Sequence, residues 1–184
     1  MTLQELRHSR RFLLFVIYLI GFAALVYEIY SIQILFMFFV NSTHAASIAI
    51  SSFLAGLAVS SIAFSWYVRG TEHNLHIIFW MQLAAALYGA LVLHRVDFAP
   101  LMLDTIYHSF ESKEMIAFLK VALMWVFLFV PAFFIGGALP LINGLYLNRQ
   151  ETNTRDTGVV YFWDMVGAIS GALVAGFVLI PYLG

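Results

Sequence analysis

Apolar residues fill five stretches of this chain, at 12–39, 44–68, 75–93, 115–147 and 161–184, and polar residues gather between them. At 1.5 Å per helical residue, a stretch of about 20 residues matches a hydrocarbon core of about 30 Å. The pattern predicts an all-α fold, a polytopic transmembrane bundle of about five membrane-spanning helices. The first stretch is long enough to demand tilt or projection from the bilayer. Arg7, His8, Arg10 and Arg11 precede it like the basic region of a signal peptide, but the apolar run is far longer than a signal's. It is read as a retained first helix.

Small residues recur at helical spacing inside these stretches. Gly167, Gly171 and Ala175 stand four apart, with Ala168, Ala172 and Gly176 beside them, and Ser52, Gly56 and Ser60 form a second stripe. In lipid, such stripes let helix backbones approach closely, so Gly167, Gly171, Gly176 and Gly56 are the expected packing positions. Pro131, Gly136, Gly137 and Pro140 interrupt the fourth stretch and predict a kink or break there. Residues 148–157 read as a polar loop. Between 95 and 114, Phe98, Met102, Ile106 and Phe110 stand four apart, with Asp104, His108 and Glu111 opposite. That segment is predicted to be an amphipathic interfacial helix.

Composition sharpens this picture. The chain is 62% hydrophobic and only 10% charged, where soluble domains are about a quarter charged. The lipid bilayer is therefore its first partner. A net charge of -1 leaves no basic footprint for nucleic acid. The absence of cysteine removes disulfides and thiolate metal sites. Arg7, Arg10, Arg11, Arg69, Arg149 and Arg155 fall on one side of a five-pass topology, and Arg95, Lys113 and Lys120 on the other. The excess of basic residues predicts a cytoplasmic N-terminus.

Ionisable residues within membrane helices are costly and are candidates for function. Glu28, Lys120 and Asp164 qualify. The predicted depths of Glu28 and Lys120 are similar, so the two are expected to pair or share a water-filled cavity. Asp164 is expected near the cytoplasmic end of the last helix. His44, in the same half of the bilayer as Glu28, is a candidate proton partner. The bland readings are a structural hydrogen bond for Glu28, snorkelling for Lys120 and a local pairing with Arg155 for Asp164. Gln33, Gln82 and Asn143 read as interhelical hydrogen bonds. His73 and His76 are three apart, but no H-E-x-x-H accompanies them, and no metal site or cofactor is assigned. No Walker loop, G-x-G-x-x-G or G-x-S-x-G occurs, so no catalytic residue is assigned.

Three stretches carry a resemblance: GFAALVYEI at 21–29, PAFFIGGALPL at 131–141, and 161–184 with its D-M-V-G-A and closing P-Y-L-G. SSFLAGLAVSS at 51–61 adds to it. Together they resemble the membrane portion of bacterial spermidine-synthase-like proteins, also described as fused transporter/spermidine synthases. The resemblance implies an inner-membrane domain preceding a soluble aminopropyltransferase domain, which is expected to lie outside residues 1–184. It marks Glu28 and Asp164 as the matching polar positions. The chain is thus expected to be a single transmembrane domain over 1–184 that anchors the enzyme half and binds or moves a polyamine-like cation. The competing expectation is a small non-catalytic subunit, packing as a homo-oligomer or on larger membrane partners. A third reading, lipid chemistry at Glu28 and His44, lacks a nucleophile.

Overall fold

A computed structural model describes residues 3–39, 42–67, 74–94, 112–146 and 154–183. The described residues are helical almost throughout. Helix α1 spans Leu3–Phe38, α2 Ser42–Tyr67, α3 Asn74–His94, α4 Lys113–Gly136, α5 Ala138–Tyr146 and α6 Thr154–Val174. A π-helical segment, Ala175–Leu179, and a last turn, α7 at Ile180–Leu183, continue α6. Four helical spans are long and apolar enough to cross a membrane, and α3 supplies a shorter apolar helix at Leu75–Leu91. The predicted amphipathic segment falls almost wholly outside the described residues.

Contacts between helices fix their relative directions. Arg10 meets Asp156, Tyr18 meets Gly167 and Phe22 meets Gly171, so α1 and α6 run parallel. Gly56 meets Phe129 and Ala132 while Ser60 meets Gly137, so α2 and α4 also run parallel. Tyr88 meets Phe127 whereas Met81 meets Gly137, which sets α3 antiparallel to α4. Phe39 meets Lys120 and Arg10 meets Tyr146, so α1 opposes the α4–α5 rod. Thus α1, α3 and α6 point one way, and α2 and α4–α5 the other. With α4–α5 taken as one rod, successive described helices alternate in direction, and α3 is the shorter apolar helix among them.

The interior is built in two clusters. One gathers Leu13, Ile17, Met81, Leu141, Ile142 and Val160 toward the Arg10 end of the bundle. The other gathers Leu35, Ile48, Ala49, Met124 and Leu128 toward the Lys120 end. Large apolar side chains also point outward: Trp66 is 77% exposed, Phe177 72% and Phe118 68%. Apolar exposure on this scale is what a lipid-facing surface requires and a soluble monomer avoids.

The prolines are accommodated by neighbouring helices. Pro131 cannot donate to the Phe127 carbonyl one turn earlier, yet α4 continues through it to Gly136. The Tyr88 hydroxyl of α3 donates to that carbonyl at 3.0 Å. Pro140 likewise leaves the Gly136 carbonyl without its helical donor, and the Ser61 hydroxyl of α2 reaches it at 3.5 Å. The rod breaks only at Gly137, a single turn residue between α4 and α5. The break expected over 131–140 falls at Gly137. Near the end of the chain, Ile180 donates to Ala175, a wider i→i−5 turn that immediately precedes Pro181.

Helix α6 differs from the expected boundary. It begins at Thr154, within the stretch read as a loop, and carries Asp156 in its first turn. A carboxylate there complements the positive end of the helix dipole, so polar residues open the helix rather than precede it.

Candidate functional site

Helix α1 and helix α6 cross backbone to backbone. A Cβ on Gly21 would land on the Asp164 carbonyl oxygen, and one on Gly167 or Gly171 on the carbonyl oxygen of Tyr18 or Phe22. Only hydrogen fits at these three positions. Asp164 is drawn into this crossing: its Oδ1 lies 2.8 Å from where the Gly21 Cβ would stand. The side chain is half-buried. Ten residues, about 15 Å, separate it from the start of α6. It therefore lies deeper in the bundle than the later helix start had implied.

The walls of the crossing are pinned by polar groups. Ser170 Oγ donates to the Tyr18 hydroxyl at 3.0 Å, and Tyr18 meets Trp163 edge-on at 6.5 Å between centroids. At the open end, Arg10 approaches Asp156 at 3.9 Å and lies over the Tyr146 ring at 5.1 Å. The ion pair is partly exposed, so it contributes under about 1 kcal/mol.

Glu28 occupies α1 seven residues beyond Gly21, about 10 Å further along the bundle. The two carboxyls thus lie at different depths, as the sequence suggests. Glu28 is half-buried, and no hydrogen bond or ion pair joins it to another described residue. Its neighbour Tyr27 rests against Gly89 of α3, with a ring carbon 3.3 Å from the would-be Cβ.

Lys120 is not beside Glu28. Its ammonium lies 4.7 Å from the Phe39 ring centroid, at the far end of α1. Eleven residues separate Phe39 from Glu28, about 16 Å of helix. The expectation of a shared pair is corrected. A cation on an aromatic face at a helix terminus satisfies the long lysine chain without entering the bundle. His44 is exposed in the first turn of α2, level with the end of α1 and well away from Glu28. It therefore makes no proton partner for that carboxyl.

Of the packing glycines, Gly56 would put a Cβ 2.7 Å from the Ala132 Cβ and 2.8 Å from the Phe129 carbonyl oxygen. Gly136 faces the Leu57 Cα at 2.6 Å. Gly176, in the π segment, is exposed, with nothing within 4 Å of its Cβ position. Gly137 stands where Met81, Phe64 and Ser60 converge. Gln82 Nε2 and Asn143 Oδ1 are buried without a hydrogen-bond partner, as is Ser60 Oγ, so the interhelical bonds expected of the two amides are not made among the described residues. His73 lies outside the described residues.

Two features escaped sequence reasoning. The carbonyls orphaned by Pro131 and Pro140 can be counted from the i−4 rule, but Tyr88 and Ser61, which cap them, are distant in the chain. The role of Gly21 was also missed, although a glycine opening GFAALVYEI was the available signal. No protein-family model, curated protein or solved structure matches this chain.

Proposed function

We propose that this chain is the membrane domain of a spermidine-synthase-like protein in a bacterial inner membrane, with its N-terminus cytoplasmic. In this reading it anchors a soluble aminopropyltransferase half and binds a polyamine-like cation. The resemblance over 21–29, 131–141 and 161–184 supports the family, and five alternating passes are compatible with it. The observation that carries the cation is Glu28. It is a half-buried carboxyl in an apolar helix, with no ion pair to a described residue to take up its charge. A carboxylate held in low dielectric attracts a cation far more strongly than one in water. Asp164 supplies a second anionic position about 10 Å along the bundle, a spacing suited to a cation with separated charges.

The test is binding of radiolabelled spermidine to the detergent-purified protein. The wild type is expected to bind saturably, and Glu28→Gln about tenfold or more weakly, the scale of a lost charge-assisted hydrogen bond. Equal binding by the two proteins removes the site from Glu28. Intact mass from native membranes tests the anchor. A value well above 20.8 kDa supports an attached enzyme half. A value equal to it turns the reading toward a small subunit on membrane partners.

A further inference from the structure

The outer face of the α1–α6 crossing carries a groove of about 430 Å³ lined by Arg11, Leu14, Phe15, Tyr18 and Trp163. Four of these five come from one stripe of α1, at helical steps of three and four. Leu14, Phe15 and the two aromatic rings make its walls apolar. Tyr18 is held in place by Ser170 and by the edge of Trp163, so the groove is formed before anything enters it.

Among the described residues its one charged lining residue is at the end. Arg10 turns across the bundle to Asp156 and Tyr146. The next residue, Arg11, lies about 100° round the helix and points into the groove. Arg11 is exposed, and among the described residues no carboxylate pairs with it. The Arg10–Asp156 pair marks this level as the polar end of the bundle. The groove therefore presents a free guanidinium at headgroup height and an apolar trough running from it toward the membrane centre.

We infer that this groove binds an anionic phospholipid, with the phosphate on Arg11 and one acyl chain along Leu14, Phe15, Tyr18 and Trp163. The complementarity is of charge and depth together. A guanidinium matches a phosphate in bidentate geometry, and a zwitterionic headgroup brings a cation to the same place. The inference does not depend on the polyamine reading, because neither Glu28 nor Asp164 lines the groove.

The experiment is native mass spectrometry of the detergent-solubilised protein, with phosphatidylglycerol and phosphatidylcholine of matched chains at equal concentration. The expected result is a bound ratio favouring phosphatidylglycerol. Arg11→Gln is expected to lower that ratio about fivefold, the scale of one basic residue at an anionic surface. Lys113→Gln, an exposed cation at the opposite end of the bundle, is expected to leave it unchanged. Because Arg11 is exposed, its replacement does not threaten the fold. An unchanged ratio in Arg11→Gln, or an equal drop in Lys113→Gln, overturns the inference. So does displacement of the lipid by inorganic phosphate or by deacylated glycerophosphoglycerol as readily as by intact lipid, since the apolar trough would then contribute nothing. A co-purifying helix seated in the groove in place of lipid overturns it too.

Discussion

Two parallel helix pairs, α1–α6 and α2–α4, are both closed by glycines against backbone, yet they enclose different chemistry. In α2–α4 both helices donate glycines, Gly56 against Phe129 and Ala132, and Gly136 against Leu57. Its polar contact is a hydroxyl, Ser61, spent on a carbonyl that Pro140 leaves open. In α1–α6 the same closeness brings an ionisable side chain, Asp164, against Gly21. An ion pair sits at one end of that crossing and a groove lies on its outer face. The difference separates scaffold from site. One pair uses close approach to satisfy backbone, and the other uses it to hold a carboxyl inside an apolar bundle.

The largest expected effect tests whether both pairs rest on the same contact. Leucine at Gly167 and Gly171 together drives two side chains into the Tyr18 and Phe22 carbonyls. Leucine at Gly56 does the same against Phe129. Each variant should lose on the order of 3 kcal/mol or more, the upper range for overpacking, read as thermal unfolding in mild detergent. Gly176→Leu, with open space around it, should unfold like wild type. Equal loss in Gly176→Leu would break the comparison by showing a general intolerance of bulk.

A smaller effect probes α4 of the scaffold pair through its contact with α3. Tyr88→Phe strands the Phe127 carbonyl and should cost about 1–3 kcal/mol. Pro131→Ala restores the N–H that this carbonyl lacks, so Tyr88→Phe should cost much less in that background. Additive losses in the double-mutant cycle would mean that the tyrosine acts by packing and not as the donor.

The smallest effect belongs to the rim of the α1–α6 pair. Asp156→Asn removes the partly exposed partner of Arg10 and should change stability by under about 1 kcal/mol. The change should shrink further at high salt. A loss comparable to that of Gly167→Leu would shift the weight of the crossing from its glycines to its ion pair.

The five apolar runs, their approximate ends and the stripes at Gly56, Gly167 and Gly171 were legible because hydropathy and side-chain size are properties of each residue. The exceptions were local as well. The starts of α1, at Leu3 rather than 12, and of α6 were misplaced because polar residues such as Arg10, Arg11, Thr154 and Asp156 fit either a loop or the opening turns of a helix. Gly176 fits the small-residue stripe on paper, yet no neighbouring helix reaches it. What the tertiary structure decided was pairing. It set α1 beside α6 and α2 beside α4. It sent Lys120 to Phe39 rather than Glu28, and it brought the hydroxyls of Tyr88 and Ser61 to the prolines' open carbonyls. The physical reason is that hydropathy puts a helix in the membrane without naming its neighbour. Lipid is as apolar as leucine, so the partner is chosen by steric fit and hydrogen bonding between residues far apart in the chain.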